Sequence, residues 1–485
     1  MTTRMPSCPT QAYIDGQWRD AASGASFDVI NPANGEIIAQ VADCSAADAQ
    51  AAINAADQAQ SGWAKTTANE RSAILRKWRD LMVDDADRLA EILMQENGKP
   101  LAEARGEVLY GASYLEWFAE EARRIYGETI PAPAADKRIL VIRQPVGVCA
   151  AITPWNFPNA MLARKAAAAL AAGCTMVAKP AEDTPLSALA MAELAGKAGL
   201  QDGVLNIVPT SQAAEVGEVF TSSERVRKLS FTGSTHVGRL LIKQAASTIK
   251  KVSMELGGNA PFIVFDDADL DRAADGFMIS KFRNAGQTCV CANRVFVQAS
   301  VMQEFANKVS QRVSALKVAN GNVPGAEIGP LINENAVAKV ENLVQAAQRD
   351  GAKVVLGGER HEAGNLFYAP TVLTDVTSSM QIVQAEIFGP VAALMSFEDE
   401  AELIERANDT PYGLAAYAYT NDLGRAWRVS EALEYGMVAI NEGALSNAAA
   451  PFGGVKQSGM GREGSHHGLD DYLEIKYIMM GGLGA

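Results

Sequence analysis

The sequence predicts an α/β protein whose sheets are mainly parallel. From Pro145 onward, short apolar segments of strand length alternate with segments of helical period, and a second series of the same kind begins at Phe262. Strands that alternate with helices form right-handed βαβ units, which place ligands at the carboxyl ends of their strands. The 485 residues are enough for two or three domains, each with its own core.

The elements before Pro145 are mainly helical. An Asp-Gly pair between apolar residues predicts a hairpin over 13–18. Apolar residues at helical spacing predict helices over 46–63, 70–96 and 107–124. An extended segment begins at 129–133, and the alternation over 138–143 is typical of a strand.

Two alternating series follow. In the first, strands are predicted at 147–153, 175–179, 204–208 and 228–232, and helices at 161–172, 186–198, 213–221 and 237–245. In the second, strands are predicted at 262–265, 294–297, 391–396 and 437–440, and helices at 269–281, 301–316 and 334–350. A late strand at 473–480 can leave its own domain.

The composition excludes several classes of protein. With 43 Lys and Arg against 57 Asp and Glu, the net charge of −14 argues against a general nucleic-acid binder. The six Cys show no disulfide framework and the first residues lack an apolar signal, so a cytoplasmic location is expected. The four His form no spaced set with Cys, so no metal site is expected. The longest apolar run, 166–178, is shorter than the roughly 20 residues of a membrane span, so no membrane contact is expected.

Residues 459–464 match the G-x-G-x-x-G dinucleotide fingerprint. That fingerprint must follow a strand and open a helix inside a βαβ unit. Here the preceding residues are typical of a loop and only a short tail follows, so we reject this match as a phosphate loop.

The centre of the predicted site is the loop 281–294, which is rich in small and polar residues and contains Cys289. A thiol is nucleophilic only as a thiolate and has a pKa of about 8.5 when free, so a catalytic Cys needs a base or a positive environment. The alternative is a buried structural Cys, which is common. The polar neighbours Gln287, Thr288 and Asn293 argue against that alternative.

Asn156 follows the strand predicted at 147–153, at the ligand-binding edge of the sheet. Pro154 and Pro158 stiffen this segment. An amide held there can donate to a developing oxyanion, an interaction worth about 2.7–4 kcal/mol to catalysis. An equally good interpretation of this segment alone is an Asn that caps the following helix.

Other strand ends offer groups for a dinucleotide. Lys179 and Glu182 follow one strand, where a carboxylate can accept both hydroxyls of a ribose, although a surface ion pair is the alternative. Because Glu182 would repel a 2′-phosphate, NAD is favoured over NADP, whose use remains open. Gly233 and Ser234 precede a helix whose first amides can meet a pyrophosphate, but Gly before a helix is often only turn chemistry.

Two further carboxylates stand in Gly-containing segments. Glu255 follows a β-rich stretch and can act as a general base if it faces Cys289, whereas a solvated Glu is the alternative. Glu386 and Phe388 place a carboxylate and an aromatic ring on a rigid turn before Pro390.

Asn156, Lys179, Glu255, Cys289 and Glu386, in this order and with these neighbours, resemble the aldehyde dehydrogenase superfamily. The resemblance covers essentially the whole chain. It implies that Cys289 attacks an aldehyde while Asn156 and the Cys289 amide hold the oxyanion. Glu255 then activates water to hydrolyse the thioester, and Lys179 belongs to the catalytic set. The implied cofactor-binding residues are Thr153, Pro154, Trp155, Lys179, Glu182, Gly233, Ser234, Glu386 and Phe388.

The resemblance also implies a domain plan. A Rossmann-type NAD-binding domain takes 1–124 and 145–253, and an α/β catalytic domain takes 254–455. A small β oligomerisation arm takes 125–144 and 456–485, and family members use such an arm in dimers and tetramers. A homodimer or homotetramer is therefore expected.

Within the superfamily, the segment 282–294, Arg164 and Ser446 resemble the succinate-semialdehyde dehydrogenases. The resemblance implies that Arg164, Arg283 and Ser446 clamp the distal carboxylate of the substrate, with Phe452 beside them. Each charged hydrogen bond is worth about 1.5–3 kcal/mol, but an internal ion pair is the alternative for either Arg. Such a clamp does not distinguish succinate semialdehyde from glutarate semialdehyde or from a sulfo-aldehyde such as sulfolactaldehyde.

Two alternatives from other classes are weaker. A catalytically idle scaffold is disfavoured because Cys289, Glu255 and Asn156 are all present, and a CoA-dependent acylating enzyme is disfavoured because Glu255 suits hydrolysis. Cys291 can form a strained, reversible disulfide with Cys289, or it can simply pack in the core.

Overall fold

The computed structural model describes residues 5–484, in which helices and strands alternate over most of the chain. The α-helices are α1 Ala46–Ala64, α2 Ala68–Asp84, α3 Ala86–Asn97, α4 Leu101–Glu121, α5 Pro158–Ala172, α6 Leu186–Ala198, α7 Ala213–Ser222, α8 Thr235–Ala245, α9 Leu270–Phe282, α10 Met302–Ser314, α11 Glu334–Arg349, α12 Gln381–Gln384, α13 Glu400–Asn408 and α14 Leu423–Ala432.

The strands of residues 5–484 form four sheets. They are β1 Ala12–Ile14, β2 Gln17–Arg19, β3 Ser26–Ile30, β4 Ile37–Ala42, β5 Glu128–Ile130, β6 Arg138–Pro145, β7 Val148–Ile152, β8 Thr175–Lys179, β9 Leu205–Ile207, β10 Val226–Thr232, β11 Lys251–Glu255, β12 Ala260–Val264, β13 Ala292–Gln298, β14 Lys353–Leu356, β15 Thr371–Thr374, β16 Val391–Phe397, β17 Ala415–Tyr419, β18 Met437–Ile440, β19 Gly459–Met460 and β20 Leu473–Met480. No helix within residues 5–484 combines the length and apolar character needed to cross a membrane.

The first large sheet has the order β19-β11-β10-β7-β8-β9-β1-β2. Five adjacent strands of this sheet run parallel to one another, namely β11, β10, β7, β8 and β9. Their carboxyl ends therefore lie at one edge of the sheet. The predicted parallel α/β fold is therefore confirmed here. The G-x-G-x-x-G match at 459–464 runs through the antiparallel edge strand β19 and opens no α-helix.

Helix α5 connects β7 to β8 and is buried along its whole length. It begins with Pro158, whose missing N–H costs nothing in the first turn, and ends at Gly173, which adopts a φ of 88°. Small Ala side chains let it lie close to the sheet and to α4. As a result Arg164 and Lys165 are carried into the protein interior.

The second large sheet has the order β14-β15-β16-β13-β12-β17-β18, and only β14 is antiparallel to its neighbour. Its core is aromatic: the Phe262 ring packs on the rings of Phe277, Tyr417 and Tyr419. The short loop between β11 and β12 connects the two sheets, so the end of one sheet lies close in sequence to the start of the other.

A three-stranded antiparallel sheet has the order β20-β6-β5. β20 pairs with β6 along its full length, from Leu473 opposite Pro145 to Met480 opposite Arg138. In the predicted arm segment 456–485, Leu473–Met480 joins this sheet, whereas Gly459–Met460 extends the first large sheet. The late strand thus lies away from the second large sheet, as its sequence position suggested.

One predicted helix is wrong. The segment 70–96 is two helices, α2 and α3, because Asp85 leaves the helical region with φ −102° and ψ 15° and caps the second helix. The Asp85 carboxylate accepts from Arg88 at 2.6 Å, which ties the break to the new first turn.

Five strands were also missed by the sequence analysis, β3, β4, β14, β15 and β17. In β17 the run Ala-Ala-Tyr-Ala-Tyr lacks the β-branched residues that mark a buried strand.

Candidate functional site

The carboxyl ends of β7, β10 and β11 open onto a cavity of about 250 Å³, which also receives the loop before β13. This is the edge of a parallel sheet where ligands bind. The cavity is lined by Pro154, Trp155, Asn156, Phe157, Met161, Thr232, Gly233, Ser234, Glu255, Leu256, Gly257, Cys289, Lys339, Glu386 and Phe388. It therefore brings Cys289 together with Asn156 and Glu255, which are distant in sequence.

The loop that carries Cys289 is held in an unusual backbone conformation. Asn284 and Ala285 both lie in the left-handed region, with φ of 52° and 54°, where a side chain costs roughly 1–2 kcal/mol per residue. The buried Gln287 holds this turn, because its Nε2 donates to the Asn284 carbonyl at 3.0 Å and its Oε1 accepts from Ile332 N at 3.0 Å. The surrounding bonds thus fix the position of Cys289.

Cys289 is partly exposed to the cavity and carries a free thiol. Burial raises the pKa of Cys289 to about 12. The positive charges of Arg164 and Arg283 oppose this rise, whereas the negative charges of Glu386 and Glu255 add to it. The resting thiol is therefore protonated at neutral pH. The positive groups that a reactive Cys needs are present, but in this state the loss of solvation outweighs them.

Asn156 is buried and held at both ends. Its Nδ2 donates to the Gln287 carbonyl at 2.9 Å, while its own carbonyl accepts from Lys99 Nζ at 2.7 Å and from Asn284 Nδ2 at 3.1 Å. It does not cap α5, whose N-cap residue is Phe157. The alternative of a helix-capping Asn156 is therefore wrong.

Glu255 ends β11 and is buried, so the alternative of a solvated Glu255 is wrong. Its Oε2 has no hydrogen-bond partner among residues 5–484. Burial, followed by the nearby charge of Glu463, raises the pKa of Glu255 well above its usual range. Burial also opposes ionisation of Glu463, but the charges of Arg164 and Lys165 lower its pKa, so Glu463 is the carboxylate that stays ionised.

Arg164 and Lys165 both form ion pairs with Glu463, and all three side chains are nearly inaccessible to solvent. The internal ion pair considered for Arg164 is thus present. Even so, the two terminal nitrogens of the Arg164 guanidinium have no hydrogen-bond partner in the described part of the chain. The guanidinium also lies over the Phe452 ring, 4.6 Å from its centroid.

Arg283 has a different environment. Its guanidinium lies 4.9 Å from the centroid of the Phe157 ring, and within residues 5–484 no carboxylate lies in ion-pair range of it. Arg283 and Ser446 line one small cavity together with Thr288, the chain neighbour of Cys289. Two predicted clamp residues are thus adjacent, whereas Arg164 approaches Cys289 from α5.

Glu386 and Phe388 lie on another wall of the central cavity. Glu386 accepts from Gly258 N at 3.0 Å, and burial raises its pKa to about 7 against the Gly258 hydrogen bond and the charge of Lys339. Phe388 packs edge-on against Trp155, with ring centroids 5.6 Å apart. A Cβ at Gly257 would lie 2.9 Å from Glu386 Oε2, so a larger residue there would displace the Glu386 carboxylate.

Lys179 and Glu182 lie beside the cavity and do not line it. Lys179 is buried, and its Nζ forms an ion pair with the half-exposed Glu182 at 2.9 Å. The ion pair considered as the alternative for these two residues is thus present, but one of its partners is buried. Thr153 N donates to the Lys179 carbonyl at 3.1 Å, which links this pair to the cavity wall. Ser234 caps α8 by accepting from Val237 N at 3.3 Å, so the free amides of α8 open near the cavity.

These walls fit a nicotinamide dinucleotide. The N-terminus of α8 suits a pyrophosphate, and the carboxylates of Glu386 on the cavity wall and of Glu182 beside the cavity can accept from ribose hydroxyls. Sequence reasoning missed Lys339, which lies in α11 without a motif, and it missed Lys165 and Glu463. For Lys165 a signal existed, because two adjacent charges in the Ala-rich α5 are unusual.

Comparison with known proteins agrees with this geometry. The model of the aldehyde dehydrogenase family matches residues 18–478. The chain is 58% identical to an NADP(+)-dependent succinate-semialdehyde dehydrogenase of Escherichia coli, over 97% of this chain and 98% of that protein. It is 57% identical to a glutarate-semialdehyde dehydrogenase of Pseudomonas aeruginosa, over 98% of each, and 56% identical to a 3-sulfolactaldehyde dehydrogenase of Pseudomonas putida, over 98% and 97%.

Among solved structures, the crystal structure of succinate-semialdehyde dehydrogenase from Burkholderia pseudomallei superposes with a TM-score of 0.97 at 57% identity, covering 98% of each chain. The resemblance inferred from the sequence motifs is thereby confirmed. The chain belongs to the aldehyde dehydrogenase family of oxidoreductases, which act on aldehydes.

Proposed function

We propose that this protein oxidises a short aldehyde with an anionic tail, succinate semialdehyde in the first place, through a thioester on Cys289. The observation that carries the proposal is the pair of arginines next to Cys289. Arg164 keeps two unpartnered terminal nitrogens, and Arg283 has no carboxylate in ion-pair range within residues 5–484. Each charged hydrogen bond to a substrate carboxylate is worth about 1.5–3 kcal/mol.

The chemistry assigns a role to each buried group. Cys289 loses its thiol proton to solvent, the thiolate Sγ adds to the aldehyde carbon as the C=O π bond opens, and the amide of Asn156 with the Cys289 backbone N–H holds the resulting thiohemiacetal oxyanion. Glu386 and the first amides of α8 would hold a nicotinamide cofactor, which would supply the hydride acceptor that oxidation of this adduct to a thioester requires. Glu255, once ionised, takes a proton from the water that hydrolyses the thioester and releases the acid.

For the cofactor we propose a preference for NAD over NADP. Glu182 follows β8 and would accept from the 2′-hydroxyl of the adenosine ribose, whereas its charge would repel a 2′-phosphate. Lys339, which faces Glu386 across the central cavity, belongs to the proposed cofactor-binding set. Two similar enzymes carry NADP(+) in their names, one of Escherichia coli and one of Sinorhizobium fredii, and our preference for NAD depends on Glu182.

Glutarate semialdehyde and 3-sulfolactaldehyde are the competing substrates, because enzymes named for them are as similar to this chain as those named for succinate semialdehyde. The test is kcat/KM for all three aldehydes, each with NAD and with NADP. High activity on the sulfo-aldehyde with poor activity on succinate semialdehyde would replace our first choice. An uncharged aldehyde used as well as the anionic ones would reject the anion clamp altogether.

We also propose a homodimer or homotetramer. Within residues 5–484 the edge strand β20 pairs only with β6, and its apolar side chains Ile475, Tyr477 and Met479 are exposed. An exposed edge with an apolar row is a surface that natural proteins normally cover.

A further inference from the structure

We propose that Lys99 and Glu107 are positioning residues, and that their buried ion pair holds Asn156 in the orientation that oxyanion binding requires. The inference rests on the proposed function, in which the Asn156 amide stabilises the thiohemiacetal oxygen. Neither residue lines the central cavity. Both act through the backbone of the turn that carries Asn156.

Lys99 reaches Asn156 directly. It lies just after α3, and its Nζ donates to the Asn156 carbonyl at 2.7 Å and to Glu107 Oε2 at 2.5 Å. Both side chains are 1% exposed, so these bonds are made without competition from water. The same Nζ lies 4.1 Å from the centroid of the Phe157 ring, the next residue of the turn.

Glu107 holds the other side of the same turn. Its Oε1 accepts from Asn159 N at 3.0 Å and from Ala160 N at 3.3 Å, which are the first free amides of α5. One carboxylate therefore fixes the residues after Asn156 while its ammonium partner fixes the carbonyl of Asn156 itself. The backbone of Asn156 is thus held from both sides, and the bond from its Nδ2 to the Gln287 carbonyl at 2.9 Å sets the direction of its side chain from that fixed position.

A purely stabilising role explains this pair poorly. Burying two charges costs free energy that their attraction offsets only in part, and apolar replacements of such pairs are often equally stable. The orientation of a catalytic donor is worth more, since a displacement of about 1 Å can cost a factor of 100 in rate. The placement of both charges on the backbone of the Asn156 turn fits the second role.

The test is a double-mutant cycle between Lys99→Met and Asn156→Ala, read by single-turnover NADH formation with enzyme and cofactor in excess over aldehyde. This readout gives a rate constant per active site, which a fraction of unfolded enzyme does not change. Lys250→Met is the matched control, because the buried Lys250 also donates to backbone carbonyls, those of Phe220 and Ser223, at 3.0 and 2.8 Å.

We expect Lys99→Met to lower the single-turnover rate constant by about 10-fold to 100-fold, and parallel steady-state assays to show no rise in the KM of the anionic aldehyde. Asn156→Ala should lower it by about 100-fold to 1,000-fold. Added to Asn156→Ala, Lys99→Met should cost no more than about twofold, because its effect passes through the missing amide. Lys250→Met should leave the rate constant unchanged.

Other outcomes overturn the inference in distinguishable ways. Three outcomes reject the positioning role alone. Lys99→Met lowers the rate constant as much in the Asn156→Ala background as in the wild type, Lys99→Met leaves the rate constant unchanged, or Lys99→Met raises the KM for anionic aldehydes only. An unchanged rate in Asn156→Ala rejects the oxyanion role and the inference with it. If Lys99→Met does not fold, the neutral pair Lys99→Met/Glu107→Gln takes its place in the cycle, with the same expected results.

Discussion

Arg164 and Glu463 form an ion pair inside the protein, and this pair couples the proposed anion clamp to the protonation of Glu255. Glu463 keeps the negative charge because Arg164 and Lys165 both face it. Glu255 is buried near that charge, and both burial and the charge of Glu463 raise its pKa. The pKa values of the two carboxyl groups in this buried cluster are thus shifted in opposite directions, which is the pattern expected where one group acts as an acid or base and its neighbour stays charged.

Replacing Glu463 by Gln should move the acid limb of the pH–kcat profile to lower pH. The charge of Glu463 raises the pKa of Glu255, while Arg164 and Lys165 lower it. When the Glu463 carboxylate is removed, the charges of Arg164 and Lys165 still lower the pKa of Glu255 but the charge of Glu463 no longer raises it. The pKa of Glu255 therefore falls, and its ionised form is present at lower pH. The measurement is steady-state kcat between about pH 5 and 9.

Glu341→Gln is the control for this profile, because it removes a carboxylate that also pairs with an arginine, Arg360, but at the surface. It should leave the limb in place. If the acid limb is unchanged or moves to higher pH in Glu463→Gln, then the charge of Glu463 does not raise the pKa of Glu255.

The thiol of Cys289 should react slowly with an uncharged alkylating agent in the absence of cofactor. Because burial raises its pKa to about 12, the thiolate fraction grows about tenfold for each pH unit up to that value. We therefore expect the rate of iodoacetamide labelling at Cys289 to rise steadily between about pH 6 and 10. Cys289→Ser identifies the labelled site by difference, and a plateau below about pH 9 would mean that Arg164 and Arg283 outweigh burial.

Arg283→Gln should impair anionic aldehydes selectively. Loss of one charged hydrogen bond, about 1.5–3 kcal/mol, corresponds to a decrease of about 10-fold to 150-fold in kcat/KM. An uncharged aldehyde of the same length should change little, since Arg283, which contacts Phe157 and lines a cavity with Ser446, is proposed to bind the distal anion and not the aldehyde carbon. Equal losses for both aldehydes would assign Arg283 to loop structure and not to recognition.

The sequence predicted the parts of this site that depend on local pattern. Asn156 and Glu255 stand at the carboxyl ends of β7 and β11, which parallel strands bring together whatever their spacing along the chain. Cys289, in the loop before β13, was predicted from the small and polar residues around it. The supporting groups do not follow such a rule. Lys99 and Glu463 reach the site from segments that only tertiary packing brings close, and no periodicity marks them. The break at Asp85 was missed for a similar reason, since the apolar spacing continues through it.

Glu182→Ser should shift cofactor use toward NADP. The carboxylate of Glu182 is half-exposed beside Lys179, so its removal takes away a repulsive charge and leaves the ammonium free to meet a phosphate. Like charges brought together cost several kcal/mol, so the ratio of kcat/KM for NADP to that for NAD should rise by about tenfold or more. Glu218→Ser, an exposed change in α7, should leave the ratio unaltered, and an unaltered ratio in Glu182→Ser as well would refute the role of Glu182.

Charges on the apolar row of β20 should break the assembly. Ile475 and Tyr477 are 71% and 56% exposed on an edge strand, and neither contributes to the cores of the large sheets. Covering this row in an oligomer removes apolar surface from water, whereas Ile475→Asp with Tyr477→Asp would bury charges there. Light scattering after size-exclusion chromatography should report an oligomer for the wild type and a smaller species for the double variant, with unchanged circular dichroism.

Lys476→Ser is the control, because Lys476 lies one residue away on the other face of β20, and this variant should retain the wild-type mass. A monomeric wild type, or an unchanged mass in the double variant, would exclude β20 from the interface.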